Sequence, residues 1–408
     1  MKKVVITGLG CFNALGKNKK SYWENLEKGV SGIRPIKDRW TRIYKYYDEE
    51  QTPWIGGEIQ GYDPDEYFSK RELFLLDPVS QFTLIAAEEA IRDANLDLSK
   101  IDRTRTSIIL GTSTGGDESR DEASYKFFKE KKRISNFTII RSMDSAPTSH
   151  LSIKYNITGP CYTVQSACAS STQSIAQSYL MIKSGLVDYA ISGGTENLPS
   201  LGLFKAWEAM RILAPDNCKP FSKNRKGLVL GEGAGILILE SLESAQKRGA
   251  FIYGEIIGCS MSSDASNIVA PSQKGAEQAM SIALKSAGIA SNDVDYINAH
   301  GTGTLLNDKT EVAAIKSVFG ASKSKYAVSS TKSSHGHGLG ATGAFEAMAC
   351  LFALNKNIIP PTINYEIFDE TCDINLVANT ARHKDVNIAM TNSFGFGGSN
   401  GVLLFKKN

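Results

Sequence analysis

Apolar residues fall along this chain in two alternating patterns. Short β-branched runs read as strands: "KVVITG" (3–8), "TSIILGT" (106–112), "DYAISGG" (188–194), "GILILES" (235–241), "VDYINAH" (294–300), "YAVSST" (326–331) and "VNIAMTN" (386–392). Between them lie stretches with helical spacing, such as "SQFTLIAAEEAIRDAN" (80–95) and "KGAEQAMSIALKSAG" (274–288). A further helix follows Cys168, with Thr172, Ile175, Ala176, Tyr179 and Leu180 on one face, and another starts at about Ala341. Such alternation predicts an α/β fold with covered sheets.

The pattern also echoes itself. The stretch 90–116 runs helix, turn, an "Asp-Ile/Val-Asp"-like step, strand and Gly-Thr-x-Thr, and 283–304 repeats that order. The stretch from Cys168 through "DYAISGG" is echoed from Gly340 through "NIAMTNSFGFGG". Two echoes in one order indicate duplicated halves, 1–250 with Cys168 and 251–408 with most of the histidines. No linker-like stretch separates them, so they are expected to share one core.

Composition narrows the picture. The 408 residues are 42% hydrophobic and 22% charged, ordinary for a globular chain with ample core. A net charge of +3 is too small for bulk nucleic-acid binding, although basic clusters occur at Lys70–Arg71, Lys129–Arg133 and Lys219–Lys226. Each reads as a solvated surface or as a docking patch for an acidic partner. Seven cysteines without CxxC pairs argue against a disulfide scaffold or a zinc site, and fit a reducing, cytoplasmic setting. "MKKVVITGLGCFNALG" imitates a signal peptide, but the apolar run breaks at Thr7 and Gly8, which favours a strand. The same stretch fails as a dinucleotide loop, because Asn13 replaces the third glycine. No run approaches the ~18 apolar residues needed to span a bilayer.

Four segments carry candidate chemistry. Cys168 sits among small residues at a strand-to-helix turn, where a helix dipole favours the thiolate; a buried structural cysteine is the alternative. His300 closes a strand and opens "GTGT", and the next helix reads as starting with a capping box, Asp308 to Glu311. An imidazole there suits a ligand site at a strand's C-terminal edge, or a satisfied core histidine. "STKSSHGHGLGATGAFEAM" (330–348) holds Lys332, His335 and His337 among glycines. "NSFGFGGSNG" (392–401) combines glycines with Phe394 and Phe396, which suits a gate and backbone donors for an oxyanion. One thiol, several imidazoles, a lysine and a glycine loop suit acyl transfer.

With "GPCYTVQSACAS", "GLVDYAISGGTE", "GLVLGEGAG", "NAHGTGT", "STKS…GHGLGATGA.E" and "NSFGFGGSN" in this order, the chain resembles the β-ketoacyl-acyl-carrier-protein synthases with a Cys-His-His triad. The resemblance covers essentially the whole length. It implies the thiolase-like five-layered αβαβα fold of two duplicated halves, no cofactor and no metal. It implies that Cys168 takes the acyl group and that His300 and His337 bind the malonyl thioester carbonyl, with Lys332 setting their electrostatics. The backbone amides of Cys168 and Phe396 match the oxyanion hole, Phe396 the gate, and Thr302 and Thr304 the pantetheine contacts. The partners implied are an acyl carrier protein and a second ketosynthase chain, identical or a chain-length subunit.

Two departures bear on detail. The family's catalytic histidine lies five residues after the lysine, which is His337, so His335 is expected behind the site or in the pocket wall. Thr114 stands where fatty-acid enzymes carry an aliphatic pocket floor, which disfavours a long saturated chain. The stretch 205–233 resembles ketosynthases of aryl-polyene clusters more than housekeeping fatty-acid synthases of type II. A degradative thiolase would need a second cysteine in "NSFGFGGSNG", a non-catalytic partner subunit would lack Cys168, and a papain-like hydrolase would need water at the acyl-enzyme.

Overall fold

The computed structural model describes residues 1–36, 54–320 and 326–408. Ten strands make one continuous sheet: β1 (Val4–Asn13), β2 (Thr106–Gly111), β3 (Cys161–Val164), β4 (Tyr189–Glu196), β5 (Gly233–Ser241), β6 (Gly254–Ser263), β7 (Tyr296–Asn298), β8 (Ala327–Ser329), β9 (Ile388–Gly395) and β10 (Ser399–Lys406). The order across the sheet is β8-β7-β9-β10-β6-β1-β5-β4-β2-β3. The first five strands are thus arranged β1-β5-β4-β2-β3 and the last five β6-β10-β9-β7-β8, the same permutation. Pairing directions repeat as well. The first two pairs of each half are antiparallel and the next two parallel. The halves meet where Val4–Ile6 of β1 runs antiparallel to Gly254–Ile256 of β6. The echo in the sequence is therefore a duplicated fold.

Strands β1 and β5 are buried along their whole length, which is why "GILILES" is apolar without alternation. The N-terminal run is accordingly a strand at the middle of the sheet. Six helices build the layers: α1 (Pro78–Asp93), α2 (Ser170–Ser184), α3 (Leu201–Ala209), α4 (Gln273–Ala287), α5 (Leu305–Phe319) and α6 (Thr342–Lys356). Helix α1 starts where Asp77 accepts from the Val79 amide and Pro78 takes the first position. Helix α2 ends on Gly185 and α6 on Asn357, both left-handed.

Helix α1 covers β1, β5 and β4 on one outer face, while α4 covers β6 and β10 on the other, with α5 against it. Helices α2 and α6 pack on each other, and each touches strands of both halves. The layers are therefore helix, one half of the sheet, helix pair, the other half of the sheet, helix. The central core cluster joins Val4, Leu9, Ile175, Tyr179, Phe345, Met348 and Phe405 from both halves. The helix pair is close enough that a Cβ at Gly343 would lie 2.1 Å from Thr172 Oγ1 and 3.0 Å from its amide nitrogen. This contact aligns the start of α6 with the start of α2 and brings the loops before them together. No helix of the described residues is long and apolar enough to cross a membrane.

Candidate active site

Cys168 occupies the turn from β3 to α2. The preceding residue, Ala167, has φ +50°, a left-handed conformation that costs an alanine about 1–2 kcal/mol. Ser170 holds the turn: its hydroxyl donates to the Ala167 carbonyl at 2.6 Å and accepts from the Ser166 amide at 2.9 Å. The result aims the sulfur into a cavity of about 930 Å³, counting the part open to solvent. His300, His337, Thr302, Thr304 and Phe396 line the same cavity.

The expectation that the helix end favours a thiolate is corrected. Burial pushes the Cys168 thiol up to about 12, and the Lys332 charge and the Phe396 amide offset this only in part. The desolvation of a fully enclosed sulfur outweighs a dipole at the start of one helix. The amides of Phe396 and of Cys168 itself both point at the sulfur, so two backbone donors converge where the resemblance places an oxyanion hole.

The His337 loop is held against the segment before β5. Its amide donates to the Val229 carbonyl, and its carbonyl accepts from the Gly231 amide at 2.9 Å. His337 Nδ1 accepts from the Leu339 amide at 3.2 Å and faces the Thr342 hydroxyl at 3.1 Å. Because an amide N–H can only donate, Nδ1 carries no proton and the ring hydrogen sits on Nε2. That Nε2–H points at Cys168 Sγ, 3.1 Å away. His337 therefore faces the sulfur as a donor rather than as a base.

His300 follows β7 and is pinned through its backbone. Its amide and that of Gly301 donate to the two carboxylate oxygens of Glu311, each at 2.8 Å. This corrects the capping-box expectation. Thr304 caps α5 by accepting from the Asn307 amide, Asp308 accepts from the Phe221 and Gly303 amides, and Glu311 turns back to the histidine loop. A buried loop has amides to satisfy, and these carboxylates do so. Burial raises Glu311 to about 7. Lys332 Nζ lies 3.3 Å from His300 Nδ1 and pairs with the Glu346 carboxylate. With Lys332 donating to Nδ1, His300 also presents Nε2–H. Burial and the Lys332 charge hold both imidazoles well below their ordinary pKa, so both are neutral.

The ligand-type atoms of Cys168, His300 and His337 lie within 4.8 Å of one another, a set that looks suited to zinc. The groups behind the rings oppose that. A metal-bound imidazole donates its other N–H to an acceptor, whereas here the Leu339 amide and Lys332 are donors at both Nδ1 atoms. The donor set fits hydrogen bonding to an oxyanion, not a cation.

His335 is buried behind the loop and does not line the cavity. Its Nδ1–H donates to the Gly336 carbonyl at 2.7 Å, which leaves Nε2 to accept from Thr331 Oγ1 at 3.1 Å. Burial depresses its pKa to about 3. The unfolded chain therefore binds a proton here between pH 6.5 and 3 that the folded chain refuses. Stability from this group is present above about pH 6.5 and is lost as pH falls. Replacing His335 by threonine should narrow the stability gap to wild type by about 1.4 kcal/mol per pH unit below 6.5, about 2 kcal/mol at pH 5. Urea unfolding at pH 7.5 and 5.0 reads this directly, and an equal gap at both would contradict it.

Thr302 and Thr304 face each other, hydroxyl oxygens 2.9 Å apart, on the cavity wall. Thr114 stands outside that wall, its hydroxyl donating to Glu196 at 2.7 Å. Phe394 meets the His300 ring edge-on. The Lys219–Lys226 cluster is only partly a surface patch. Lys219 is buried between Asp216 and Glu366, and Arg225 between Asp308 and Asp369.

Three acidic residues were not singled out from the sequence as site residues. Glu346 holds Lys332, and its signal was a lone carboxylate in the buried run "TGAFEAMACLFAL". Glu196, closing β4, accepts from the amides of Ser113, Thr114 and Gly340 and so ties the loop after β2 to the His337 loop. Glu311, at a cap-like spacing in the sequence, binds the His300 and Gly301 amides instead.

The comparisons agree with this geometry. The family model for the β-ketoacyl synthase N-terminal domain matches residues 1–245, and that for the C-terminal domain matches 253–366. Nodulation protein E of Rhizobium meliloti (strain 1021) is 40% identical over 407 residues, covering 100% of this chain and 99% of that protein. The 3-oxoacyl-[acyl-carrier-protein] synthase 2 of Staphylococcus aureus (strain COL) is 39% identical, covering 100% and 98%. Among solved structures, the ishigamide ketosynthase/chain length factor superposes with a TM-score of 0.93 at 32% identity, covering 100% and 99%. With the duplicated sheet and the Cys-His-His cluster in one cavity, these matches show that the chain belongs to the β-ketoacyl synthase family of acyl-transferring condensing enzymes.

Proposed function

We propose that the chain is a β-ketoacyl-[acyl-carrier-protein] synthase that lengthens an acyl thioester by two carbons, and that Cys168, His300, His337 and Lys332 carry the chemistry. The observation that carries this reading is the convergence of two imidazole Nε2–H donors and two backbone N–H donors around one thiol. Halves 1–250 and 251–408 then supply nucleophile and histidines respectively.

The first half-reaction moves the acyl group. Cys168 sulfur bonds to the thioester carbonyl carbon, the amides of Cys168 and Phe396 bind the oxyanion, and the carrier's sulfur leaves with the Cys168 proton. In the second, the malonyl carbonyl oxygen lies against the Nε2–H of His300 and His337. The bond to its carboxylate breaks, carbon dioxide leaves, and the electron pair becomes an enolate. The enolate carbon bonds to the acyl carbon, and the Cys168 sulfur leaves and is reprotonated from solvent. Neutral imidazole donors in a water-poor cavity suit this step, since each preplaced donor is worth several kcal/mol, order of magnitude ~3, on a developing oxyanion. Lys332 and Glu346 hold the His300 tautomer. Thr302 and Thr304 take the pantetheine arm, and Phe396 gates the acyl side.

We assign the acyl carrier protein as substrate donor on the likeness to the Staphylococcus enzyme, whose name includes it. The exposed cluster Lys129–Arg133 suits its acidic surface. A second ketosynthase chain, identical or a chain-length subunit, is supported by the place of β3 at the sheet's edge among the described residues, the exposed Phe127, Phe128 and Ile139, and the likeness to a ketosynthase/chain length factor. For the pathway we favour aryl-polyene or type II polyketide assembly over housekeeping fatty-acid elongation, on the stretch 205–233 and that same likeness.

Intact mass spectrometry tests the reading. Incubation with acyl-carrier protein should add one acyl mass to the protein, and malonyl-carrier protein should then remove it while a β-ketoacyl-carrier appears. Loss of the adduct by hydrolysis, with no such product, would refute condensation.

A further inference from the structure

Trp207 has no place in the mechanism above, yet it faces the nucleophile's cavity. Helix α3 presents two aromatic side chains three residues apart. Phe204 is buried, with Trp54 packed 4.9 Å away, and anchors the helix. Trp207 joins Ile212 and Leu228 as an apolar wall of the cavity that holds Cys168. The polar wall, with Thr302 and Thr304, lies on a different segment. An acyl tail attached to Cys168 belongs against the apolar one.

That wall is now covered by Phe396. Its ring stacks on the Trp207 indole, centroids 5.8 Å apart and planes 23° from parallel, while its own amide points at the Cys168 sulfur. Phe396 is 36% exposed, and the next residue, Gly397, has φ +79° with open space where a Cβ would be. Phe396 is thus partly open to solvent, and turning its ring aside gives up the stack on Trp207.

We propose that Trp207 is a specificity-determining residue that favours acyl chains with a planar conjugated or aryl segment near the thioester over saturated ones. This rests on the ketosynthase reading of the site. A saturated chain that displaces Phe396 offers the indole apolar area alone. A conjugated chain offers a flat π face as well, and so restores the stack that opening removes. Stacked aromatic pairs carry a preference beyond area that corresponds to roughly two- to tenfold in a rate or binding constant.

The test compares acylation of Cys168 by a saturated eight-carbon acyl-carrier protein and by its conjugated trienoyl counterpart, followed by intact mass. Wild type should favour the conjugated chain in kcat/KM by about two- to tenfold. In Trp207→Leu the ratio should fall toward one, with Trp207→Phe between. A wild-type ratio of one, or a ratio unchanged in Trp207→Leu, overturns the proposal while leaving condensation intact. Should Trp207→Leu fail to fold, Trp207→Phe decides by whether its ratio drops below wild type. Absence of any adduct with either chain would instead refute the ketosynthase reading, and chain selection with it.

Discussion

Cys168→Ala should form no acyl adduct with any acyl-carrier protein and should lose condensation by about 10⁴-fold or more, because among the described residues no other thiol lines the cavity. Cys218 is buried and does not line the cavity, and its thiol donates to the Thr302 carbonyl. The substitution removes a single heavy atom, Sγ, beside a strained turn and keeps the Cβ that φ and ψ already accommodate, so the fold should persist. Measuring acyl transfer and thermal unfolding on the same preparation separates the two. An adduct of wild-type mass increase on the alanine variant would place the nucleophile elsewhere.

The second large effect is expected at His337, and its form is specific. Since Nδ1 is occupied by the Leu339 amide, the ring acts on substrate only through Nε2–H. On the proposed mechanism it donates to an oxygen that gains charge when carbon dioxide leaves, so His337→Ala should lower condensation by about 10²- to 10³-fold. Acylation of Cys168 should survive, because the proposed oxyanion donors of that step are the two backbone amides beside the sulfur, not His337. His335→Ala should retain most of both half-reactions, since its one ring N–H is spent on Gly336 and its acceptor nitrogen on Thr331. Single-turnover mass measurements on the two variants check this. Equal losses of condensation would mean that the buried ring is required at the site, and loss of acylation in His337→Ala would mean that it serves as the base for the thiol.

The strands and helices were legible because each carries its own periodicity. The duplicated halves were legible because two echoes kept their order, and the shared strand permutation is the same fact in three dimensions. The Cys168 turn, the His300 strand end and the His337 loop could be located by their small neighbours, which a buried, substrate-accessible bend requires. Asp308 and Glu311 were misread for a local reason. An acidic pair at that spacing signals a helix start only if its acceptors are used by its own helix. Here amides of other segments, those of Phe221 and of His300 with Gly301, reached them first.

By itself, then, the order of residues determined the alternation of elements, the twofold repeat and which side chains were candidates, since all of these are properties of neighbours along the chain. Tertiary structure alone decided the rest. Whether the sulfur is a thiol or a thiolate depends on how completely other segments enclose it. The proton on each imidazole is placed by an amide and a lysine that no spacing rule connects to it. Of two histidines two residues apart, the count from Lys332 already separated the working ring from the other, but only the packing shows His337 donating to the sulfur and His335 spent on Gly336 and Thr331. Solvation, hydrogen-bond direction and the stacking of Trp207 on Phe396 depend on distances between segments far apart in sequence, and those exist only once the two halves have packed.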